Sequence, residues 1–334
     1  MEQQSNPKEE IKVAVQEIID NPHDDTILHG RLTQIHGIFS ELTKVTGLDQ
    51  EMELMAAVPT AHGMALGLNH AAQCLLDIRR TNKFLQGMLK AIADIRQKKV
   101  DGPINVFYAG CGPYAPFISL VAPLFSPEEL QFSLLEINEK SLETAKTLIQ
   151  ELGLEDFVMD YHQADAVTFK VEDAEQFDIL FSETLDAVLY RECYVPILYN
   201  LLPQFKDDVV LIPENVRLEL RYIHKTEDEN AIREESPIAT LVDVRQVISS
   251  HTPGAPIPKQ LDNFPVDLIN MEAYESILID TTVQVYDTIG LLRGESSLTL
   301  PLEMKLEQPF PNSRITFNYV LEPQIELKYT LEHL

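Results

Sequence analysis

Apolar positions recur at three-to-four spacing through the first third of the chain. Ile11, Val13, Val15, Ile18 and Ile19 form an approximate stripe, and Leu28, Leu32, Ile35, Ile38, Phe39 and Leu42 form a clearer one. That spacing puts side chains on one face of a helix. Residues 8–98 are therefore expected to be helical, with proline only at Pro22 and Pro59. Beyond Asp101-Gly-Pro103, which reads as a linker, the period changes. Short apolar runs at 104–109, 131–136, 157–163, 177–182 and 207–212 alternate with helical segments. One of these, Glu139–Leu152, turns Leu142, Ala145, Leu148 and Ile149 to a common face. Alternation of this kind implies a parallel sheet with helices on both sides. After Ile212-Pro-Glu-Asn215 the character changes again. The runs Val216–Ile223, Ala239–Val247, Glu275–Tyr286, Ser297–Met304, Arg314–Leu321 and Gln324–Leu331 are short and often alternate apolar with polar residues. They predict an antiparallel β domain, a barrel or a sandwich. The expected organisation is an N-terminal helical region over 1–98, an α/β sheet over 99–213 and a β domain over 214–334.

Length and hydrophobicity add little: 334 residues with 45% hydrophobic content suffice for two or three globular domains. Charge adds more. A formal net charge of −27 disfavours nucleic acid and anionic membranes as partners and favours a cationic substrate. The plainer reading is a solvated acidic surface. The cysteines, Cys74, Cys111 and Cys193, are few and odd in number, as expected for free thiols in a reducing compartment, and their spacing suggests no metal site. The polar first ten residues lack the apolar core of a signal peptide, and no stretch approaches the length of a membrane span. A cytoplasmic enzyme or binding protein is expected.

Candidate chemistry begins at Val106-Phe-Tyr-Ala-Gly-Cys-Gly-Pro-Tyr-Ala115, an apolar run that breaks into Gly110-Cys111-Gly112. A second run, Phe132-Ser-Leu-Leu-Glu136, ends in an acid. Glycines let a backbone approach a ligand closely, and an acid at the tip of the next strand can hold a ribose diol. Ala164-Asp165 follows the third run, where an acid can accept an adenine amino group. Gly110 and Gly112, then Glu136, then Asp165, is an order that resembles the S-adenosylmethionine-dependent methyltransferases, and it implies their Rossmann-like sheet. In that family the glycines admit the amino-acid part of the cofactor.

The resemblance sharpens at Phe177-Asp-Ile-Leu-Phe-Ser-Glu-Thr-Leu-Asp-Ala-Val-Leu-Tyr-Arg-Glu192. Glu183 and Glu192, nine residues apart, are similar to the double-glutamate loop of the protein arginine methyltransferases. Leu211-Ile-Pro213 resembles the point where that family enters a β-barrel. Upstream, Asp77-Ile-Arg-Arg80-Thr81-Asn-Lys-Phe84 resembles the family's segment before the first strand. Its arginine, here Arg80, holds the cofactor carboxylate. The resemblance thus implies Glu183, Glu192 and Asp77 as catalytic residues, and Arg80, Gly110, Cys111, Gly112, Glu136 and Asp165 as the cofactor site. Asp77 would orient Arg80 or receive a proton; a helix-surface salt bridge is its plainer role. The family commonly forms homodimers through a helical arm. No clear arm stands between 224 and 275, and Lys225–Glu235 reads as a charged exposed loop.

A guanidinium carries a delocalised charge at neutral pH, so its nitrogens are poor nucleophiles. Two carboxylates can fork onto it, fix its plane and draw positive charge toward the nitrogens they touch. The rest of the catalysis is alignment and charge placement.

The chain also departs from the family. It has no tryptophan, so the Thr-His-Trp loop against the substrate arginine is missing, and Asn318-Tyr319 or Tyr329-Thr330 are candidates for its space. Tyr108 replaces an acid before the first glycine, and His70 lies one residue out of place. Two pocket methionines fall at Cys74 and Tyr194. A tyrosine at the pocket wall would leave little room for a second methyl group, so monomethylation is expected. The helical leader would cap the site, form a dimer interface or extend the core. Relatives of this family include bacterial enzymes that methylate free L-arginine. The absent tryptophan, the acidity and the leader fit a small cationic guanidino substrate better than a protein.

Overall fold

The leader opens with two helices whose starts are capped by side chains. In this computed structural model, which describes residues 6–226, 233–252, 254–269, 271–306 and 312–334, Asn6 accepts from the Lys8 N–H at the start of α1 (Pro7–Asp20). Asp24 accepts from the N–H groups of Thr26 and Ile27 at the start of α2 (Asp25–Thr43). Such caps satisfy donors that have no partner within the helix. The inner faces carry Ile11, Ala14, Val15 and Ile18 on α1 and Leu28, Leu32, Ile35 and Phe39 on α2, all buried. Val13 points outward and is 58% exposed, because the helical period assigns the inner position to Ala14.

The leader is not helical throughout. After the single turn of α3 (Met52–Met55), β1 (Val58–Thr60) pairs antiparallel with β2 (Gly63–Ala65). Pro59 cannot donate a helical hydrogen bond, and Gly63 takes φ +111° at the turn, so the segment leaves the helix there. Helices α4 (Leu68–Gln73) and α5 (Ile78–Arg96) follow.

Next come β3 (Ile104–Ala109), α6 (Pro116–Ser119), β4 (Leu130–Glu136), α7 (Glu139–Glu151), β5 (Val158–Gln163), β6 (Ile179–Ser182), α8 (Tyr194–Leu201) and β7 (Val210–Ile212). The five strands form one parallel sheet in the order β5-β4-β3-β6-β7. Chain direction across the sheet therefore reverses between β3 and β6, and the crevice at their carboxyl ends is where ligands of such sheets bind. Helix α7 buries Leu142, Ala145, Leu148 and Ile149, as its apolar period requires.

The antiparallel part begins directly after β7. It comprises β8 (Asn215–His224), β9 (Glu235–Asp243), α9 (Val244–Ser249), β10 (Phe264–Leu268), β11 (Tyr274–Tyr286), β12 (Ile289–Leu291), β13 (Leu302–Lys305), β14 (Ser313–Val320) and β15 (Glu326–His333). Two sheets result among the described residues. One runs β12-β11-β8-β9 with β13 also on β11, and the other runs β10-β14-β15. The strand expected over 239–247 stops at Asp243, whose side chain caps α9 by accepting from the Gln246 N–H. The run from Ser297 starts as a 3-10 turn over Ser297–Thr299 before β13. Residues 227–232 of the charged segment lie outside the described residues.

Helix α5 joins the two halves by packing against β7 and β3 on one side and β11 and β12 on the other. Gly87 makes this approach possible, since a Cβ there would lie 2.6 Å from Cγ1 of Val285. Among the described residues, no helix is long and apolar enough to cross a membrane.

Candidate active site at the carboxyl ends of the parallel strands

A cavity opens at the reversal point of the parallel sheet. Gly110, Cys111 and Gly112 from the β3–α6 turn line it, with Glu136 from the tip of β4, Asp165 after β5 and Glu183 after β6. The leader adds Cys74 and Arg80, the segment before α8 adds Glu192 and Cys193, and the hairpin adds Thr60 and Met64. Nine of the eleven residues singled out from the sequence line this cavity; the two that do not are Asp77 and Tyr194.

The glycine turn is tight. Gly110 and Gly112 have φ of +76° and +67°, where a side chain is disfavoured. The N–H groups of Gly110 and Cys111 both donate to the carbonyl of Leu135. A Cβ on Gly110 would lie 2.3 Å from Cγ2 of Thr184, so Gly110→Ala meets both strain and a clash. It is expected to destabilise the fold by about 1–3 kcal/mol and to weaken nucleotide binding. A variant that melts and binds as the parent does would contradict this.

The two acids after β4 and β5 are bound to backbone. Glu136 accepts from Gly112 N–H at 2.8 Å and from Asn138 N–H at 2.9 Å, one per oxygen. Burial pushes its pKa up while these N–H groups pull it back. Asp165 accepts from Ala61 N–H at 2.7 Å and from Val167 N–H at 2.9 Å. Each carboxylate oxygen retains a second acceptor position, so both acids can still take a hydroxyl or amino donor from a ligand.

Arg80 and Glu183 form a buried ion pair from Arg80 Nε to Glu183 Oε1, with side chains 7% and 8% exposed. Burial disfavours the charge of Arg80, and Glu183 beside it more than reverses this, so its pKa lies above the ordinary value. Burial also pushes Glu183 up against the pull of Arg80. Glu192 faces the same space and, among the described residues, its carboxylate has no ion-pair partner. Burial first, then the nearby acids Asp186 and Glu183, raise it to about 8, with only Arg80 opposing. An acid held this way has a large energetic incentive to acquire a cation.

The loop carrying both glutamates is braced from outside the parallel sheet. Asp186 Oδ1 gathers the N–H groups of Tyr190, Arg191 and Glu192. Val188 and Leu189 sit at φ +62° and +51°, an uncommon conformation for a branched residue. Val188 N–H donates to Thr281 Oγ1 of β11 at 2.7 Å, and Tyr319 of β14 donates its hydroxyl to Leu189 O at 2.7 Å. Such strain persists only where the surroundings over-determine it, so the antiparallel sheets hold the Glu183–Glu192 loop in shape. Nothing in the sequence pattern marked Thr281 for this.

Asp77 and Tyr194 lie elsewhere. Asp77 caps α5 by accepting from Arg80 N–H, and its Oδ2 accepts from Ser296 Oγ, Ser297 N–H and Ser297 Oγ at 2.7–2.9 Å. It thus clips the leader to the turn before β13, and among the described residues its side chain reaches the backbone N–H of Arg80 rather than the guanidinium. Asp77→Ala is expected to cost roughly 1–3 kcal/mol in a thermal melt, with kcat nearly intact. Lost turnover at unchanged stability would return Asp77 to the chemistry. Tyr194 is buried at the start of α8 with its hydroxyl donating to Pro213 O. It does not stand at the cavity wall, so the ground for expecting a single methylation falls away. Neither Asn318-Tyr319 nor Tyr329-Thr330 lines the cavity: Tyr319 braces the loop and Tyr329 is 48% exposed. The hairpin, which the helical reading missed, supplies wall instead.

Among solved structures, the chain is similar to the Trypanosoma brucei PRMT1 enzyme–prozyme heterotetrameric complex with AdoHcy. The identity is 14%, over 78% of this chain and 96% of that one, with a TM-score of 0.46. No protein-family model and no curated protein matches. A likeness at this level leaves the roles of the cavity residues to their own chemistry.

Proposed function

We propose that this chain is an S-adenosylmethionine-dependent arginine Nω-methyltransferase that acts on free L-arginine or a related small guanidino compound. The observation that carries the reading is the pair of buried carboxylates, Glu183 and a Glu192 without an ion-pair partner among the described residues, facing one cavity beside the glycine turn. The cavity residues fit the cofactor. The Gly110–Gly112 turn would admit its amino-acid part and Arg80 its carboxylate. Glu136 would accept from the ribose hydroxyls and Asp165 from the adenine amino group, using acceptor positions that the backbone leaves open. When bound, the sulfonium supplies an activated methyl group and a neutral leaving group.

The chain's own residues would do the rest. Glu183 and Glu192 fork onto the guanidinium, fix its plane and concentrate its charge on the nitrogens they touch. The remaining nitrogen is then the richer one. Glu192, poised near neutrality, is placed to take the proton that the methylated nitrogen sheds. Burial raises the thiols of Cys74 and Cys193 to about 11 and that of Cys111 well above its usual range. They therefore stay protonated and do not compete as nucleophiles. In this reading residues 1–98 supply Arg80 and the cover of the site, 99–213 hold the cofactor, and 214–334 brace the glutamate loop. A homodimer and a cytoplasmic location belong to the same proposal.

Calorimetric titration tests it. S-adenosylhomocysteine is expected to bind alone, and L-arginine to bind more tightly once that ligand has engaged Arg80 and freed Glu183. Absence of nucleoside binding would sink the cofactor assignment, and arginine binding that ignores it would sink the coupling.

A further inference from the structure

The hairpin β1–β2 is tied down over the cavity by directional bonds. Ala61 N–H at its tip donates to Asp165, which lies on the side of β5. Thr60 Oγ1 lies 3.0 Å from Cys193 Sγ, and that thiol donates to His62 O at 3.1 Å, next to Glu192. His62 Nδ1–H donates to Leu321 O just past β14. Gly63 sits so close that a Cβ would meet Arg191 O, Cys193 Sγ and Ile325 Cδ1, each at 3.3 Å. Thr60, Met64 and Ala65 face the cavity from beneath this strap.

Little apolar burial holds the strap down. Helix α3 has no buried residue, neither hairpin strand has one, and Leu48, Met52, Met55 and Met64 are all exposed. Segments with few buried apolar contacts open at low free-energy cost. At the base of the strap Gly67 lets the chain fold back closely, since a Cβ there would lie 2.5 Å from Met55 O. The element is therefore latched by a few polar contacts.

We propose that this hairpin is a size gate, which determines specificity by admitting a free amino-acid-sized guanidine and excluding an arginine within a polypeptide. The inference rests on the arginine methyltransferase reading and adds its substrate class. An extended peptide needs an open groove on both sides of its arginine, and a strap bonded to Asp165, Cys193 and Leu321 closes the cavity where it crosses. Asp165 also links the gate to the nucleotide seat, because the same carboxylate that would meet adenine holds the hairpin tip.

Two readouts on the full-length protein separate the gate from the chemistry. The first is alkylation of Cys193 by N-ethylmaleimide and by a polyethylene-glycol maleimide, followed by mass spectrometry, in the parent and in Ala61→Pro and His62→Ala. Each variant removes one latch. Roughly tenfold faster modification of Cys193 in the variants, and admission of the bulky reagent only there, is expected. Parent-like rates in both variants would overturn the gate whatever reaction the site performs. The second readout is the ratio of methyl transfer to an Arg/Gly-rich peptide over free L-arginine, expected to rise at least about tenfold in the variants. An unchanged ratio with an opened Cys193 would overturn the size selection. Should the parent methylate neither substrate, the function reading fails, and the gate is decided by the two maleimides.

Discussion

Glu183→Gln is expected to lower methyl transfer to arginine about a thousandfold or more while destabilising the ligand-free protein. The two effects share one cause. Arg80 is buried and Glu183 is its ion-pair partner. Removing one member of such a pair leaves an uncompensated charge and costs roughly 3–5 kcal/mol. The cofactor carboxylate would restore that charge, so S-adenosylhomocysteine should raise the melting temperature more in the variant than in the parent. Turnover should not return with it, because the fork on the guanidinium has lost a carboxylate. A variant that keeps turnover within tenfold of the parent would remove Glu183 from substrate binding. Equal ligand-induced stabilisation of variant and parent would show that the cofactor does not engage Arg80.

The second large effect is on pH dependence. Glu192 titrates near 8 in the ligand-free fold, because burial and the neighbouring acids disfavour its charge. Its folded pKa is raised above the unfolded value, so in the interval between them the unfolded chain binds fewer protons than the folded one. Stability then falls as pH rises from the ordinary carboxylate range to about 8, and levels off above. Glu192→Gln removes this slope. The variant should match the parent in mildly acidic solution and exceed it in melting temperature above about pH 8, by a few kcal/mol at most. A guanidinium would pull Glu192 back to its ionised form, so arginine binding at neutral pH should release a proton to the buffer, and KM should fall as pH rises toward 8. A KM indifferent to pH across that range, with no proton released, would mean that Glu192 does not meet the substrate.

Much of the fold was legible because its signals are local and periodic. Strand runs ending at Ala109, Glu136 and Gln163 emerge with those ends, since buried parallel strands leave continuous apolar stretches. The stripe of α2 was equally plain. The hairpin was not, because three-residue strands at Val58–Thr60 and Gly63–Ala65 are too short to show a period. Pro59 and Gly63 were its only local marks. Within the site, the order of glycines and acids along the chain is readable because each follows its own strand. The braces are not: Val188 meets Thr281 across 93 residues, and Asp77 meets Ser297 across 220. Such contacts are set by how the antiparallel sheets dock, and no spacing in one sequence encodes them. Tyr194 shows the opposite failure. A position inferred from the family pattern fell one residue beyond Cys193, and on the first turn of α8 that step carries a side chain from the cavity into the core.

The most direct measurement is mass spectrometry of products after incubation with labelled S-adenosylmethionine and free L-arginine, in the parent and in Glu183→Gln. Label on a guanidino nitrogen of arginine in the parent, and none in the variant, is the expected result. An unlabelled arginine pool, despite a cofactor that binds and turns over on another acceptor, would contradict the assignment of Glu183 and Glu192 to a guanidinium.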